Sequence, residues 1–388
     1  MELQQQFPKT RWAIVTGEYP PQPGGVSDHS LSIAEALKAV GDEVTVIAPA
    51  VASQADSTGG IVVHRIEGGY GLRGIRQMQR HLAAARPTRI LLQYVPHAFG
   101  LKAMNVPFVY ALCRAAHRIA PLSVMFHEVA FPRIVGQPWK HAVIASVNTW
   151  MARRLATTAE RVYISVPAWQ PVLATIAPDA PKPEWLPILS NIPTSVVPAE
   201  VAAVRSRYAP LDSRLIGHFG SFGQGNGPVV ERVFATVLRE DRTRQVLIVG
   251  RGGQEFQTAF LRKHPDLEGR ILITGGLSPA SAACHLAACD VVLQVYLDGF
   301  TSRRSSAMAA LALGVPLVTN RGELTESFWT EQVAAFAPAP VPELLADRLV
   351  TLLNDKALSE RTGKLGRDFY QSTFRLEDIT RTLRAPSP

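Results

Sequence analysis

The sequence runs to 388 residues, 47% of them hydrophobic and 19% charged, with a net charge of +8. That length is too great for one ordinary α/β core and right for two, and the composition excludes a disordered or collagen-like chain. No apolar run reaches the roughly 18 residues of a membrane-spanning helix, and residues 1–11 lack the apolar centre of a signal peptide.

In chain order, strand-like and helix-like stretches alternate from end to end, the pattern of parallel sheets built from βαβ units. Residues 12–16 are an apolar run closed by a turn rich in glycine and proline. Residues 30–39 then read as an amphipathic helix stopped by Gly41, and 43–48 as the next strand. Leu72, Ile75, Met78 and Leu82 recur at helical spacing, with Arg73, Arg76 and Arg80 on another face. Strands follow at 90–94 and 123–127, a helix at 143–155 and a strand at 161–165. Residues 167–211 hold nine of the chain's 29 prolines and mark a domain junction near 192–212. The alternation starts again at 214–220 and continues through strands at 245–250, 271–275, 291–295 and 316–319. A final helix is expected from about 368 to 384. The expected domains are residues 1–195 and 196–367, with 368–388 as a C-terminal helix packing back on the first. Two such series bring the carboxyl ends of two sheets to a cleft, where ligands bind in folds of this class.

Charge is unevenly spread. Residues 1–190 carry 18 Lys and Arg against 12 Asp and Glu, and the remainder 22 against 20. Residues 65–118 hold nine basic side chains and one acidic one, Glu67. The Arg73, Arg76, Arg80 face reads either as a solvated helix surface or as one that touches anionic lipid headgroups or an anionic acceptor. Nucleic acid is set aside, because no binding motif and little aromatic interleaving accompany the charge. Cys113, Cys284 and Cys289 fit no metal template. They read as buried thiols of a cytoplasmic protein, located peripherally at the inner face of the membrane if the basic face meets lipid.

Between the first strand and first helix stands Gly17-Glu18-Tyr19-Pro20-Pro21, followed by Gly24-Gly25 and then Asp28-His29. Adjacent glycines before a helix let backbone approach a ligand and leave amide donors available to it. This stretch resembles the amino-terminal loop of glycosyltransferase family 4. The resemblance continues at 186–193, at 217–223 with His218, Gly220 and Ser221, at 249–252 with Arg251, and at 273–277 with Gly275. Residues 288–293, Asp298-Gly299-Phe300 and 310–318 are similar to the family's carboxy-terminal signature. The resemblance covers about residues 12–320. It implies an α/β, GT-B architecture of two Rossmann-like domains facing each other across a cleft, a nucleotide-diphosphate sugar donor, and transfer with retention of configuration.

The sequence departs from the family in two places. Counting forward from Asp298 puts the family's second glutamate at Ser306, whereas counting back from Gly314 reaches Thr301 and Ala309. Neither count finds a glutamate, which leaves ribose recognition in doubt. Ser221 and Asn226 stand where the family supplies an Arg and a Lys for the diphosphate. The substitute is Thr301-Ser302-Arg303-Arg304-Ser305-Ser306, hydroxyls and fixed charge at the start of an apolar helix. It resembles a variant Asp-Gly…Ser-Arg-Arg motif of a bacterial branch of the family; a capping box with two solvated arginines is the plain alternative. By the same resemblance His127 hydrogen-bonds the donor sugar, Glu128 lies near the acceptor and Asp298 accepts from donor hydroxyls. Asp28 and His29 orient the acceptor, although Asp28 equally suits a helix cap.

The expected activity is transfer of a hexose from a nucleotide-diphosphate sugar to a cell-envelope, exopolysaccharide or lipid-linked acceptor, with no resident cofactor and no metal. A catalytically silent GT-B protein that binds a glycan or partner, and a GT-B sugar epimerase, are the alternatives.

Overall fold

The computed structural model describes residues 8–51, 60–132, 136–209, 213–220, 222 and 225–386. The chain divides into two compact units, Met1–Pro187 with Arg375–Pro388, and Ile188–Phe374. The first change of unit thus falls a few residues ahead of the 195/196 boundary read from the prolines.

The first unit holds seven parallel strands: β1 (Arg11–Thr16), β2 (Glu43–Pro49), β3 (Val62–Ile66), β4 (Arg89–Tyr94), β5 (Leu122–Phe126), β6 (Arg161–Ile164) and β7 (Glu184–Trp185). They lie in the order β3-β2-β1-β4-β5-β6-β7. Its helices are α1 (Gly25–Ala39), α2 (Leu72–Ala85), α3 (Val106–Ile119), α4 (Trp139–Thr158) and α5 (Trp169–Ile176). Central strands read as unbroken apolar runs because both faces are covered. Ile14 of β1 sits between Val46 and Leu91 of its neighbours. Val15, Leu92, Phe99, Phe108, Val124 and Leu155 belong to one core cluster.

The second unit opens with α6 (Pro198–Tyr208) and holds β8 (Arg214–Phe219), β9 (Arg244–Val249), β10 (Ile271–Ile273), β11 (Val291–Leu293), β12 (Leu317–Asn320) and β13 (Ala335–Ala337). These six parallel strands run β10-β9-β8-β11-β12-β13, the strand order of the first six in the other sheet. Helices α7 (Gly227–Glu240), α8 (Gly253–Lys263), α9 (Pro279–Ala287), α10 (Ser305–Leu313), α11 (Pro342–Asn354) and α12 (Lys356–Thr373) accompany them. In both sheets the order reverses beside the first strand, which opens a crevice at the carboxyl edge.

The carboxy-terminal stretch, expected as one helix from about 368, is two. Helix α12 ends at Thr373 because Phe374 buries its ring against Tyr370, with centroids 5.3 Å apart, and Arg375 is extended. Helix α13 (Leu376–Arg384) follows in the first unit, packed on α1. Arg89 and Arg161 donate to its last carbonyls, at Leu383 (2.7 Å) and Thr382 (2.8 Å), which satisfies acceptors the helix end leaves open. The Arg384 guanidinium meets the fully buried Asp42 carboxylate at 3.1 Å. Asp42 also accepts from the Thr10 amide and the Trp12 indole, each at 3.0 Å. Asp42→Ala leaves a guanidinium and an indole N–H buried without their acceptor. It should lower stability by about 3–5 kcal/mol in urea unfolding followed by circular dichroism; a loss below about 1 kcal/mol would show that the pair contributes little.

Candidate active site

In the first unit, the loops leaving β1, β4 and β5 carry the chemistry. Gly24, not Asp28, caps the amino end of α1, and Asp28 lies inside the first turn. The capping alternative for Asp28 is thereby overturned, because the helix begins at Gly25 rather than near residue 30. At Gly24 a Cβ would meet only the Glu18 carboxyl group, 2.9 Å from its carbon, so the two share that space. Gly25 has open space around it.

His127 follows β5 with its backbone clamped. Its N–H donates to the Tyr94 carbonyl at 3.0 Å, and its carbonyl accepts from Ser165 Oγ (3.1 Å) and the Trp169 indole (3.2 Å). Its Nε2 meets Gln93 Oε1 at 2.7 Å, which places the ring proton on Nε2 as the amide is oriented. The His29 ring meets that of His127 edge to face, with centroids 5.2 Å apart. His29 is buried and its Nε2 has no hydrogen-bond partner among the described residues. Burial alone lowers its pKa to about 4. Beside this pair, Glu128 faces His97 at 3.7 Å. The Glu128 carboxylate raises His97 above the usual imidazole range, against the opposing effect of burial. Burial raises the Glu18 carboxyl, His97 opposes that, and Asp28 adds to it. Neutral imidazoles beside carboxylates can hydrogen-bond a sugar's hydroxyls and accept a proton from one of them.

In the second unit the carboxyl edge is built on arginine. Asp298 follows β11, and its carboxylate bonds Arg304 directly while Arg303 approaches at 3.6 Å. Arg304 also lies over the Tyr296 ring, 4.7 Å from its centroid, an arrangement that fixes the plane of the guanidinium. The Tyr296 hydroxyl meets Ser306 Oγ at 2.9 Å. Asn320, at the end of β12, holds Tyr296 by two backbone bonds of 3.0 and 2.7 Å. Gln294 ties the same region to β8 through the Phe219 carbonyl at 2.9 Å. Arg304 Nε, although buried, has no hydrogen-bond partner among the described residues.

The turn before α10 departs from expectation. Helix α10 starts at Ser305, so Thr301 and Ser302 precede it, and both are fully buried. The Ser302 amide and hydroxyl both donate to buried Glu326, at 2.9 and 2.6 Å, and are thus taken up inside the protein. The Trp329 indole donates to the same carboxylate at 2.7 Å. Thr301 Oγ1 has no hydrogen-bond partner among the described residues. Ser305 and Ser306 form the first turn of the helix. Gly299 and Gly322 let the loops after β11 and β12 touch, since a Cβ on Gly299 would lie 2.6 Å from Gly322 Cα.

His218 is buried, with Nδ1 on the Leu293 carbonyl at 2.9 Å and its ring stacked on Phe222 at 4.5 Å. Burial lowers its pKa to about 4, with the carbonyl pulling back the other way. Gly220, the exposed Arg251 and Gly275 stand at the carboxyl edge of β8, β9 and β10. Asn226 donates to the Val295 carbonyl at 3.2 Å. Ser221 lies outside the described residues. Among the described residues no His, Cys, Asp or Glu side chains gather as a metal site. A cavity of about 420 Å³ between the ends of α3 and α4 opens at the opposite, amino edge of the first sheet, away from these loops.

Sequence reasoning missed Gln93, His97, Glu18, Tyr296, Asn320 and Glu326. Glu326 had a local signal, since Trp329 follows by three residues. Glu326→Ala should destabilise the second unit by about 1–3 kcal/mol, because donors lose their acceptor, while Glu326→Gln should retain part of it. Denaturant midpoints check this; an unchanged midpoint for the alanine variant would rule out the anchor. His29 and His218 should stay neutral until about pH 4 in an NMR titration, and His97 should titrate above 6.5. Between pH 6.5 and 4 the unfolded chain binds protons that these two buried rings do not. Stability should therefore fall as the pH is lowered across that window, by up to about 1.4 kcal/mol per pH unit for each ring.

Comparison with known proteins fits this geometry. A model of the glycosyl transferase 4-like domain matches residues 24–183, and one of glycosyl transferases group 1 matches residues 213–355. No curated protein matches the sequence. A sucrose-phosphate synthase from Thermosynechococcus elongatus superposes with a TM-score of 0.76 at 16% identity, over 97% of either chain. Anabaena HepE, solved with UDP and glucose, gives 0.71 at 16% identity over 96% of this chain and 98% of its own. WaaG, a glycosyltransferase involved in lipopolysaccharide biosynthesis, gives 0.68 at 14% identity over 96% and 98%. These structures share the fold. With one family model on each sheet, the chain belongs to the family 4, group 1 glycosyltransferases and is a nucleotide-sugar glycosyltransferase of GT-B fold.

Proposed function

We propose that the enzyme transfers a hexose from a nucleoside-diphosphate sugar, with retention of configuration, to a saccharide or lipid-linked acceptor of the cell envelope or an exopolysaccharide. The observation that carries this reading is the Asp298, Arg303, Arg304 cluster beside the first turn of α10. A departing nucleoside diphosphate gains negative charge as the glycosidic bond breaks, and fixed cations stabilise it in proportion as it forms. Asp298 and the Tyr296 ring hold Arg304 in one orientation, so little reorganisation is needed when the charge appears.

In this reading the acceptor oxygen bonds to the anomeric carbon on the face the diphosphate leaves. The acceptor's proton passes to a departing phosphate oxygen. His127, held by Gln93 and neighboured by neutral His29, hydrogen-bonds the donor sugar, while Glu128 and Asp28 orient the acceptor. The reaction is written without a resident metal or cofactor. Three buried thiols without disulfide bonds support a reducing, cytoplasmic setting.

HepE was solved with UDP and glucose, so UDP-glucose is the first donor to test here. Thermal shift against UDP, GDP, ADP, TDP and CMP should single out one nucleotide, with about 2.7 kcal/mol of stabilisation at a hundredfold excess over Kd. Arg303→Ala together with Arg304→Ala should cut kcat/KM by about two orders of magnitude or more and weaken that shift. Near-normal kinetics would remove the arginines from the mechanism, and an inverted product anomer by NMR would overturn retention.

A further inference from the structure

Between β1 and α1 the chain runs Gly17-Glu18-Tyr19-Pro20-Pro21-Gln22-Pro23-Gly24, and three of these eight residues are prolines, which carry no N–H. A loop of this composition has carbonyl oxygens to satisfy and few amides of its own to satisfy them. Within it the Gln22 amide reaches the Tyr19 carbonyl at 3.2 Å, and Thr16 Oγ1 donates to the Glu18 carbonyl at 2.9 Å. At its far end Ser27 Oγ donates to the Gln22 carbonyl at 2.6 Å. The Pro20 carbonyl takes its donor from outside the loop.

That donor is Arg65. It stands near the carboxyl end of β3, opposite Ala48 of β2. Because the strands lie in the order β3-β2-β1, the whole of β2 separates Arg65 from the loop after β1. Neighbouring strands are about 4.8 Å apart, so the side chain has to reach across about 10 Å. Its Nη2 donates to the Pro20 carbonyl. Its Nη1 lies 3.4 Å from the carbonyl oxygen of Pro49, at the end of β2, and 3.5 Å from that of Tyr19. The guanidinium carbon is 5.6 Å from the centroid of the Tyr19 ring, which is buried. One planar fork thus joins the end of β2 to the loop after β1. A lysine here would keep the charge and the length but bring a single nitrogen.

We propose that Arg65 is a positioning residue of the active site, whose guanidinium fixes the loop after β1 and so sets where Glu18 stands at the carboxyl edge. A charged residue that merely protected an edge strand would direct its charge to water. Arg65 directs its fork inward, to backbone oxygens of two neighbouring segments. It acts through the loop and not on the reacting atoms. That this loop meets the acceptor rests on the transfer reaction proposed above; that Arg65 sets its geometry rests on the hydrogen bonds alone.

Hydrogen exchange of the Glu18, Tyr19 and Gln22 amides, with NMR titration of Glu18 and His97, tests this in the full chain. In the parent, burial raises the Glu18 carboxyl; Glu128 raises His97 most, burial opposes that, and Glu18 adds to the rise. In Arg65→Ala the loop amides should exchange faster by about tenfold or more, while those of β4 keep the parent's rates. Glu18 should then return toward the ordinary carboxyl range and His97 should titrate lower. Millimolar guanidinium should restore the parent's values in Arg65→Ala, because the free ion offers the same planar donors, and ammonium should not. Arg65→Lys should fall between the two. Parent-like exchange and titrations in Arg65→Ala would overturn the proposal, as would full recovery in Arg65→Lys. If Arg65→Ala also loosens β4, Arg65→Lys decides: loosening confined to the loop supports the proposal, and parent-like exchange overturns it. None of these readouts involves sugar transfer, so a chain that transfers no hexose would fail the earlier reading and leave this one standing.

Discussion

In both units every strand runs parallel to its neighbours, so each is joined to the next by a crossover, and most of these lay a helix on a sheet face. The faces are then closed, and the side chains that remain available are those leaving the strands at the carboxyl edge. His127, His97 and Glu18 reach that edge from three strands of one sheet, and Asp298, His218 and Asn320 from three strands of the other. Crowding polar groups at one edge demands that they satisfy one another. The ladder supplies the first anchors: the His127 amide still reaches the Tyr94 carbonyl, and Phe300 N–H reaches the Asn320 carbonyl at 2.9 Å. Their precision comes from the sheets beneath them.

The two edges meet that demand with opposite chemistry. The first relies on burial, which keeps His29 neutral. It also relies on charged neighbours, since His97 opposes and Asp28 adds to the rise that burial gives the Glu18 carboxyl. The second relies on fixed charge, with one aspartate facing two arginines and an aromatic ring under one of them. A buried glutamate behind the turn gathers Ser302 and Trp329, so the turn that presents the arginines is anchored from inside. Neutral groups suit recognition of hydroxyls, and fixed cations suit a leaving phosphate; each edge has the electrostatics its proposed role requires.

Central strands and the glycine-rich loops were legible in the sequence because burial on both faces leaves a continuous apolar run, and a ligand loop needs small residues at set places. Of the four edge strands only Ile271–Ile273 was; the other three were not. Residues Val62–Ile66 include His64 and Arg65, and Glu184–Trp185 and Ala335–Ala337 are too short to show a pattern. At the sites, His127, Glu128, His218, Gly220, Arg251, Gly275 and Asp298 stand at the carboxyl edges, but their supports were hidden. Gln93 lies inside an apolar strand and Glu326 inside a polar run, and only the fold reveals that one faces His127 and the other is buried. The helix expected from about 368 to 384 is present but broken at 374–375, because periodicity does not mark a change of unit. Phe374 and Arg375 read as a continuation, yet the chain crosses there from one core to the other.

That crossing bears on how the protein is made. The second unit interrupts the first, and α13 reaches its place on α1 only after the whole interruption has been synthesised. Domains generally fold as they emerge from the ribosome, at about 5–20 residues per second. The first sheet therefore waits on the order of ten seconds or longer with Asp42 lacking its guanidinium partner and the α1 face uncovered. During that interval the nascent first unit is the species most exposed to chaperones and proteases. A defect confined to the second unit can lower the yield of the first without touching any of its contacts.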